Sequence, residues 1–456
     1  MNRYAILFPI ITAICLVWFF VYYIRISRPF AGTTEWISRV MHKPRFALTR
    51  YKLDIDDLLP LVMILIVFII ASFEAFFMPN GGTVVIDRYI PVPPLAGLLS
   101  EASLFLFEST PVGWNFLGVL FGLVMLKGFY ILTKSMFGKT SVAVCGTLLF
   151  GFDFTRFIQT HFAAIDVYAV AFTILSYIFI YRYLAQEGDA RFRKSVLPLA
   201  LSGVFFGLAI ASGPTAIYIG IGLVAVCVIR LFIVWRHGLE NKLPGFGWTL
   251  LKTIVCALLF LGVVPVLIYI LSYIAQIRGI SANMLLDPGF YSRVWTHHSS
   301  VMAQYVSNNK WSLVVFGNPV VWWGGFMAII AMVICTIKLR DGRALFILVG
   351  FLAQFLSWII LSRTAFIDHY FQSVVFLALA LASVINAMLD RGKTQKKKKL
   401  QYGQGRAHWR PKHAVYALTA GAGVVFAMFY PAFIGLDLPE WYYRYFLRWF
   451  PNMWPF

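Results

Sequence analysis

The sequence predicts an all-α polytopic membrane protein. Two observations carry this. Of 456 residues, 60% are hydrophobic and 13% charged, with a mean hydropathy of +0.77, a balance outside that of soluble domains. The apolar residues also fall in runs of roughly 17–25, the length a helix needs to cross a bilayer. Twelve runs stand out: 4–24, 58–77, 115–133, 140–153, 164–184, 196–211, 213–234, 251–275, 312–337, 344–361, 369–389 and 414–432. Those at 140–153, 196–211 and 344–361 are short, so about 11–12 transmembrane helices are expected. The first run lacks a small-residue cleavage site and is long enough to remain a span.

Charge orients these helices. The net charge is +20, but its placement argues for a membrane and against nucleic acid. Loops 25–57, 134–139, 182–195, 230–250, 338–343 and 390–413 hold 28 Lys and Arg. The alternate loops and both termini hold nine, and Lys127 and Lys252 sit within spans. The positive-inside rule places the first set in the cytoplasm. "RGKTQKKKKLQYGQGRAHWRPK" then anchors the topology and touches anionic lipid. The N-terminus, 78–114, 154–163, 276–311, 362–368 and the tail 433–456 are expected outside. The chain divides into an extra N-terminal helix with a basic loop (1–52), a main membrane unit (53–389), a basic cytoplasmic loop (390–413), and a final helix with an aromatic tail (414–456). The plasma membrane is the expected location.

Smaller signals fill in this frame. Residues 93–107, "PPLAGLLSEASLFLF", are amphipathic at helical spacing and start on a proline pair. They are expected to form a helix on the outer surface, with Leu95, Leu98, Leu99, Ala102 and Phe105 or Leu106 on one face. The tail "FYPAFIGLDLPEWYYRYFLRWFPNMWPF" suits an interfacial aromatic belt. Cys15, Cys145, Cys227, Cys256 and Cys335 all lie in apolar runs without paired spacing, so neither a disulfide framework nor a metal site is expected, and each is expected to pack in the interior. No Gly-rich phosphate loop, HExxH, CxxC or GxSxG motif is present.

The polar residues with chemical potential gather on the outer side. In "FDFTRFIQTHFAAIDVYAV" (152–170), Arg156, His161 and Asp166 recur every five residues where a span begins. A carboxylate there can act as a base or orient a hydroxyl, and an arginine fork suits phosphate. A hydrated, capped helix end is the other reading. In "RTAFIDHYF" (363–371), Arg363, Asp368, His369 and Tyr370 crowd between two apolar runs. They can grip a phosphate from outside, or Arg363 can simply snorkel to headgroups. His297 and His298 share an outer loop with no carboxylate at ligand spacing. Lys127 is close enough to the cytoplasmic end to snorkel, and Glu74 sits near the outer end of its span.

Several of these stretches together resemble the protein O-mannosyltransferases. "VPPLAG" (92–97) resembles a His-Pro-Pro-Leu-Gly-Lys motif, and 152–168 a stretch ending Thr-Arg-Ile-Ala-x-Ile-Asp. "GVFFGLAIASGPTAIY" (203–218) resembles a Gly-Leu-x-x-x-Ser-Lys-Trp-Thr-Gly segment. "FGNPVVWWGG" (316–325) matches Asn-Pro-x-x-Trp-Trp, "RTAFIDHYF" matches Arg-Thr-Thr-Phe-x-x-His-Tyr, and the C-terminal stretch resembles bacterial members. The resemblance implies a GT-C glycosyltransferase that takes a sugar, typically mannose, from a polyprenyl phosphate and places it on protein Ser or Thr outside the cell. No cofactor is expected beyond that lipid-linked donor, which is a co-substrate, and no residue is assigned to a metal. The protein's partners would be the donor, the acceptor protein, membrane lipid and a possible membrane-protein partner. Asp166 would match a retained acidic position. Arg363, His369 and Tyr370, with Arg156 and His161, would hold the lipid phosphate and sugar.

The chain also departs from the pattern. The Asp-Glu pair expected in the first outer loop is missing, and Asp87 is the only acidic residue of 78–91 to take the role of base. Val92, Gly97, His161 and the pair Gly213-Pro214 replace the motif His, Lys, Arg and Lys-Trp. The alternative function is therefore an inactive relative that binds lipid phosphate or scaffolds an active partner. A transporter fits less well, because polar groups at mid-membrane are almost lacking.

The topology has a direct test. Cysteines introduced at 396–399 are predicted to be shielded from an impermeant thiol reagent in intact cells, and those at 307–309 to be labelled. The opposite labelling pattern would overturn the assignment of sides.

Overall fold

A computed structural model of the chain describes residues 7–27, 54–77, 93–161, 166–186, 192–240, 246–276, 288–307, 317–360, 370–401 and 411–447. Within them the protein is helical, with no strand. In chain order the helices are α1 (Leu7–Ser27), α2 (Ile55–Ala71), α3 (Pro94–Phe107), α4 (Pro111–Phe137), α5 (Thr140–Gly151), α6 (Phe154–His161), α7 (Asp166–Leu184) and α8 (Phe192–Ser212). There follow α9 (Ile219–Glu240), α10 (Phe246–Leu258), α11 (Val264–Gln276), α12 (Pro288–Ser307), α13 (Pro319–Leu339), α14 (Gly342–Ile360), α15 (Phe371–Gln401) and α16 (Pro411–Phe433).

Local chemistry sets the ends of these helices. Thr110 caps α4 by accepting from the Gly113 amide at 3.2 Å, and Pro111 occupies the first turn, where a missing N–H costs nothing. Gly138 ends α4 with a left-handed φ of 72°, and its amide donates to Lys134 O at 2.8 Å. A π-helical stretch, Leu259–Val263, joins α10 to α11.

Seven helices among the described residues are long and apolar enough to cross a membrane, or eight if the bent pair α5–α6 is one broken span. The expected runs 4–24, 58–77, 196–211 and 344–361 are also helical, as α1, α2, α8 and α14. Run 140–153 does not stand as a span of its own. α5 has 12 residues, about 18 Å at 1.5 Å per residue against a hydrocarbon core of roughly 30 Å. Nor is 154–163 simply an outer loop. Phe154–His161 form α6, bent by 62° from α5, with every side chain buried. The reason is aromatic packing: Phe154, Phe157 and Ile158 enter a cluster with Phe426, Phe429 and Phe433 of α16. Cys15 corrects another expectation, since it is exposed while Cys145, Cys227 and Cys335 are buried.

α15 is the axis of the core. Every side chain from 371 to 385 is buried, under α5, α13, α14 and α16. By contrast Leu251, Val255, Leu258, Val266, Leu267 and Leu271 of α10 and α11 are exposed, as suits helices facing lipid. Helix α3 is where it was expected, but its inward face is small: Ala96 and Ser103 are buried while Phe105 and Leu106 point outward. Small residues let α3 approach α4, α8 and α11 closely.

The two ends of α15 separate the polar groups. At one end Gln372 Nε2 donates to Thr215 Oγ1 at 3.2 Å. At the other, Lys139 donates to Asn386 Oδ1 at 2.6 Å and pairs with Asp390 at 2.5 Å. Segments expected outside thus meet at the first end, and segments expected inside at the second. Lys127 is exposed, consistent with snorkelling.

At the inner end, Asp57 Oδ1 accepts from Tyr130 Oη at 3.0 Å, Lys134 Nζ at 2.8 Å and Thr140 Oγ1 at 2.8 Å. The Asp54 amide donates to the other oxygen at 2.9 Å. Asp57 and Lys134 are both buried, so each needs the other. Removing one partner of such a pair leaves an uncompensated charge. Asp57→Ala is therefore predicted to lower stability by roughly 3–5 kcal/mol, and adding Lys134→Met to recover part of it. Thermal unfolding in detergent measures both; a double variant less stable than the single would refute the pairing.

Candidate functional site

The outer end of the bundle is organised by a carboxylate. Asp153 sits in the break between α5 and α6 and is fully buried. Its Oδ1 accepts from the Arg156 amide at 3.2 Å. Its Oδ2 accepts from the Asn318 amide at 3.2 Å and from Trp322 Nε1 at 2.9 Å. Asn318 extends the knot: its Nδ2 donates to Phe152 O and to Ala422 O, each at 3.0 Å, and its Oδ1 caps α13 by accepting from the Val320 amide at 3.1 Å. One asparagine thus joins α5, α13 and α16. Gly317 is needed beside it, because a Cβ there would lie 1.6 Å from Trp322 Nε1. The stretch "GNPVVWW" is therefore a clamp: glycine leaves room for the indole, asparagine ties three elements, proline opens the helix and Trp322 reaches the carboxylate.

Tyr370 stands on the far side of the Trp322 ring, with centroids 4.9 Å apart. Phe326 and Phe355 pack against it at 6.1 and 6.2 Å. Its hydroxyl is buried and has no hydrogen-bond partner among the described residues.

Arg156 and His161 turn into the protein. Arg156 is 2% exposed. Its Nε donates to Gly151 O at 3.2 Å and its guanidinium lies over the Phe68 ring of α2, 4.6 Å from the centroid, a cation–π arrangement. One guanidinium nitrogen, Nη2, has no partner among the described residues. His161 is 4% exposed, with Nδ1 2.8 Å from Phe157 O and the Ala71 backbone of α2 beside its ring. Both therefore buttress the outer end of α2. There Ser72 is buried, Tyr430 Oη donates to Ala71 O at 3.1 Å, and Asn115 Nδ2 donates to Ala75 O at 2.8 Å. Glu74 is exposed in the turn that follows.

Asp166 opens α7 and lies against Gly213: a Cβ there would be 3.6 Å from Asp166 Oδ1 and 2.9 Å from Ala169 Cβ. Thr215, two residues on, holds Gln372, two residues beyond Tyr370. Asp166, the 213–215 corner and the Tyr370 corner thus belong to one end of the fold. Asp87, Asp368, Arg363 and His369 lie outside the described residues. His297 Nδ1 is 3.3 Å from Tyr273 Oη on α11. Among the described residues no group of metal-ligating side chains is gathered.

Sequence reasoning passed over Asp153 and gave Asn318 and Trp322 no role. A signal was available: an acidic residue isolated in an apolar run, with an arginine three positions on.

Two family models match the chain. One, described as dolichyl-phosphate-mannose-protein mannosyltransferase, covers residues 91–269, and the other, the C-terminal four-transmembrane region of protein O-mannosyltransferase, covers 292–454. The chain belongs to the protein O-mannosyltransferase family. Among its relatives is a polyprenol-phosphate-mannose–protein mannosyltransferase of Corynebacterium glutamicum, 22% identical over 436 residues, covering 79% of this chain and 81% of the relative. Among solved structures, the S. cerevisiae protein O-mannosyltransferase Pmt1–Pmt2 complex bound to the sugar donor superposes with a TM-score of 0.66 at 11% identity, over 87% of this chain and 93% of that one. ArnT from Cupriavidus metallidurans, bound to undecaprenyl phosphate, gives 0.50 at 15% identity, over 82% and 71%. These likenesses establish a GT-C glycosyltransferase fold, and the mannosyltransferase motif Asn-Pro-x-x-Trp-Trp acquires its physical meaning in the Asn318–Asp153–Trp322 clamp.

The clamp has a measurable strength. Asn318→Ala removes a helix cap and leaves two carbonyls, one of them buried, without their donor. It is predicted to lower stability by at least about 2 kcal/mol, read as a fall in Tm in detergent. An unchanged Tm would show that the clamp does not brace the fold.

Proposed function

We propose that this membrane protein transfers a sugar, by family mannose, from a polyprenyl-phosphate carrier to a Ser or Thr hydroxyl on the extracytoplasmic face. Family membership supports the reaction class. The observation that carries the reading to this chain is the convergence, at one end of the bundle, of Asp166, the 213–215 corner and a Tyr370 hydroxyl without a hydrogen-bond partner among the described residues.

In this reading the acceptor hydroxyl attacks the anomeric carbon as the bond to the lipid phosphate breaks. The leaving phosphate carries away the electron pair, and a carboxylate takes the hydroxyl proton. Tyr370 donates to the phosphate, joined by Arg363 and His369, which precede it in the chain. Charge-assisted donors stabilise the negative charge that grows on the leaving group. Asp87 is the proposed base, because it alone supplies a carboxylate in the first outer loop ahead of the Pro-Pro pair. Asp166 orients the sugar or the acceptor. Arg156 and His161 support the site from behind by bracing the end of α2, from which that loop departs. The donor is a co-substrate, and a membrane-protein partner belongs to this proposal as well.

The direct test is sugar transfer from polyprenyl-phosphate mannose in membranes containing the protein. Asp87→Asn is predicted to lower turnover by about 10²–10⁴-fold. Arg363→Ala is predicted to weaken donor binding roughly tenfold or more, with Arg363→Lys restoring only part, since an ammonium lacks the planar fork. No transfer by the parent with any polyprenyl-phosphate sugar would reject the function. Full activity of Asp87→Asn would reject Asp87 as base.

A further inference from the structure

A carboxylate without solvent exposure is costly in an apolar bundle, and it persists only where donors and charge satisfy it. Asp153 has three donors, two of them backbone amides that close the break and open α13. The third is different. Trp322 Nε1 is a side-chain donor, and its bond to Asp153 at 2.9 Å fixes the rotation of the whole indole. An indole held at its N–H edge presents one face in one orientation. That face meets Tyr370, centroid to centroid at 4.9 Å. Among the described residues, the other rings packed against Tyr370 are those of Phe326 and Phe355. Both are apolar and neither orients a phenol, so the placement of the Tyr370 ring rests on the indole.

Tyr177 and Tyr181, in the second half of α7, also carry unpaired hydroxyls among the described residues, but Tyr370 lies at the end of the bundle that Asp166 opens. Its hydroxyl is buried without a hydrogen-bond partner among the described residues. Leaving a buried hydroxyl unpaired is unfavourable, and a structure tolerates it at a place kept for a ligand.

We infer that Asp153 is a positioning residue for the lipid-phosphate site: acting through Trp322, it holds Tyr370 so that the tyrosine hydroxyl is presented to the phosphate of the donor. This rests on the proposed function, and it adds a residue pair outside the donor's reach. Trp322 carries two tasks. Its N–H closes the clamp, and its ring sets Tyr370. Asp153 never meets the substrate. It touches the hydroxyl that does only by way of the indole.

The test is equilibrium titration of the purified full-length protein in detergent with undecaprenyl phosphate, which reports binding without turnover. Tyr370→Phe removes the donating hydroxyl and is predicted to weaken binding roughly tenfold. Trp322→Phe keeps an aromatic ring but loses the bond to Asp153, and weakens binding about threefold to tenfold. The double variant binds no more weakly than Tyr370→Phe alone, because Trp322 acts only through that hydroxyl. Asp153→Asn shifts binding in the same direction, and Trp322→Phe carries the test if Asp153→Asn fails to fold. A merely structural role would lower Tm in all variants and leave the affinity of the folded protein unchanged. Parent-like affinity in folded Trp322→Phe overturns the inference and leaves the proposed function standing. Additive losses in the double variant also overturn it. A parent that binds no undecaprenyl phosphate overturns both.

Discussion

Everything at the outer end of this protein depends on keeping one buried carboxylate satisfied. Asp153 lies where two helices break by 62°. The break frees backbone amides and carbonyls that a continuous helix would have paired internally. In a medium without water those groups need partners from the protein. Asp153 and Asn318 supply them reciprocally: one accepts from amides of α6 and of the approach to α13, the other donates to the Phe152 carbonyl in the break and to Ala422 O on α16. The bend is what lets α6 turn its aromatic residues into α16, and what brings Arg156 under α2.

A second polar knot mirrors the first. At the opposite end Asp57 gathers Lys134, Tyr130 and Thr140. Between the two knots the core is mainly apolar, with uncharged polar residues such as Thr147, Thr173, Ser176 and Thr419 buried in it, and α15 is buried over four turns. Polar groups thus stand at the ends of the bundle, where a membrane tolerates them, and each end does one job. The inner knot locks α2 to α4 and α5. The outer one ties α5 and α6 to α13 and α16 beside Tyr370. This division explains why the charged residues of a strongly basic chain contribute so little to its candidate chemistry: most orient the protein and few enter it.

The site also shows how a glycosyltransferase scaffold can persist while individual motif positions change. Gly213 stands where the family pattern has Lys, and the space beside Asp166 is narrow enough that even a Cβ would press on Ala169. The clamp of Gly317, Asn318 and Trp322 is intact, because every atom of it is committed to packing or to a hydrogen bond.

Much of the fold was legible in the sequence. Run length and apolar content predict the helices, because a bilayer demands both. The asymmetry of Lys and Arg predicts the sides, and the motifs of "GNPVVWW" and "RTAFIDHYF" point to the family. The sequence could not tell which polar residues face the substrate and which face the protein. Arg156 and His161 share one spacing with Asp166, yet they are buried against Phe68 and Phe157, while Asp166 opens toward the 213–215 corner. It could not mark Asp153 as the hub either, since its partners lie 165 and 169 residues away in the chain. Helical periodicity is a local property, set by neighbours three and four residues apart. The pairing of a buried charge is decided only when distant helices meet, and that belongs to the tertiary structure alone.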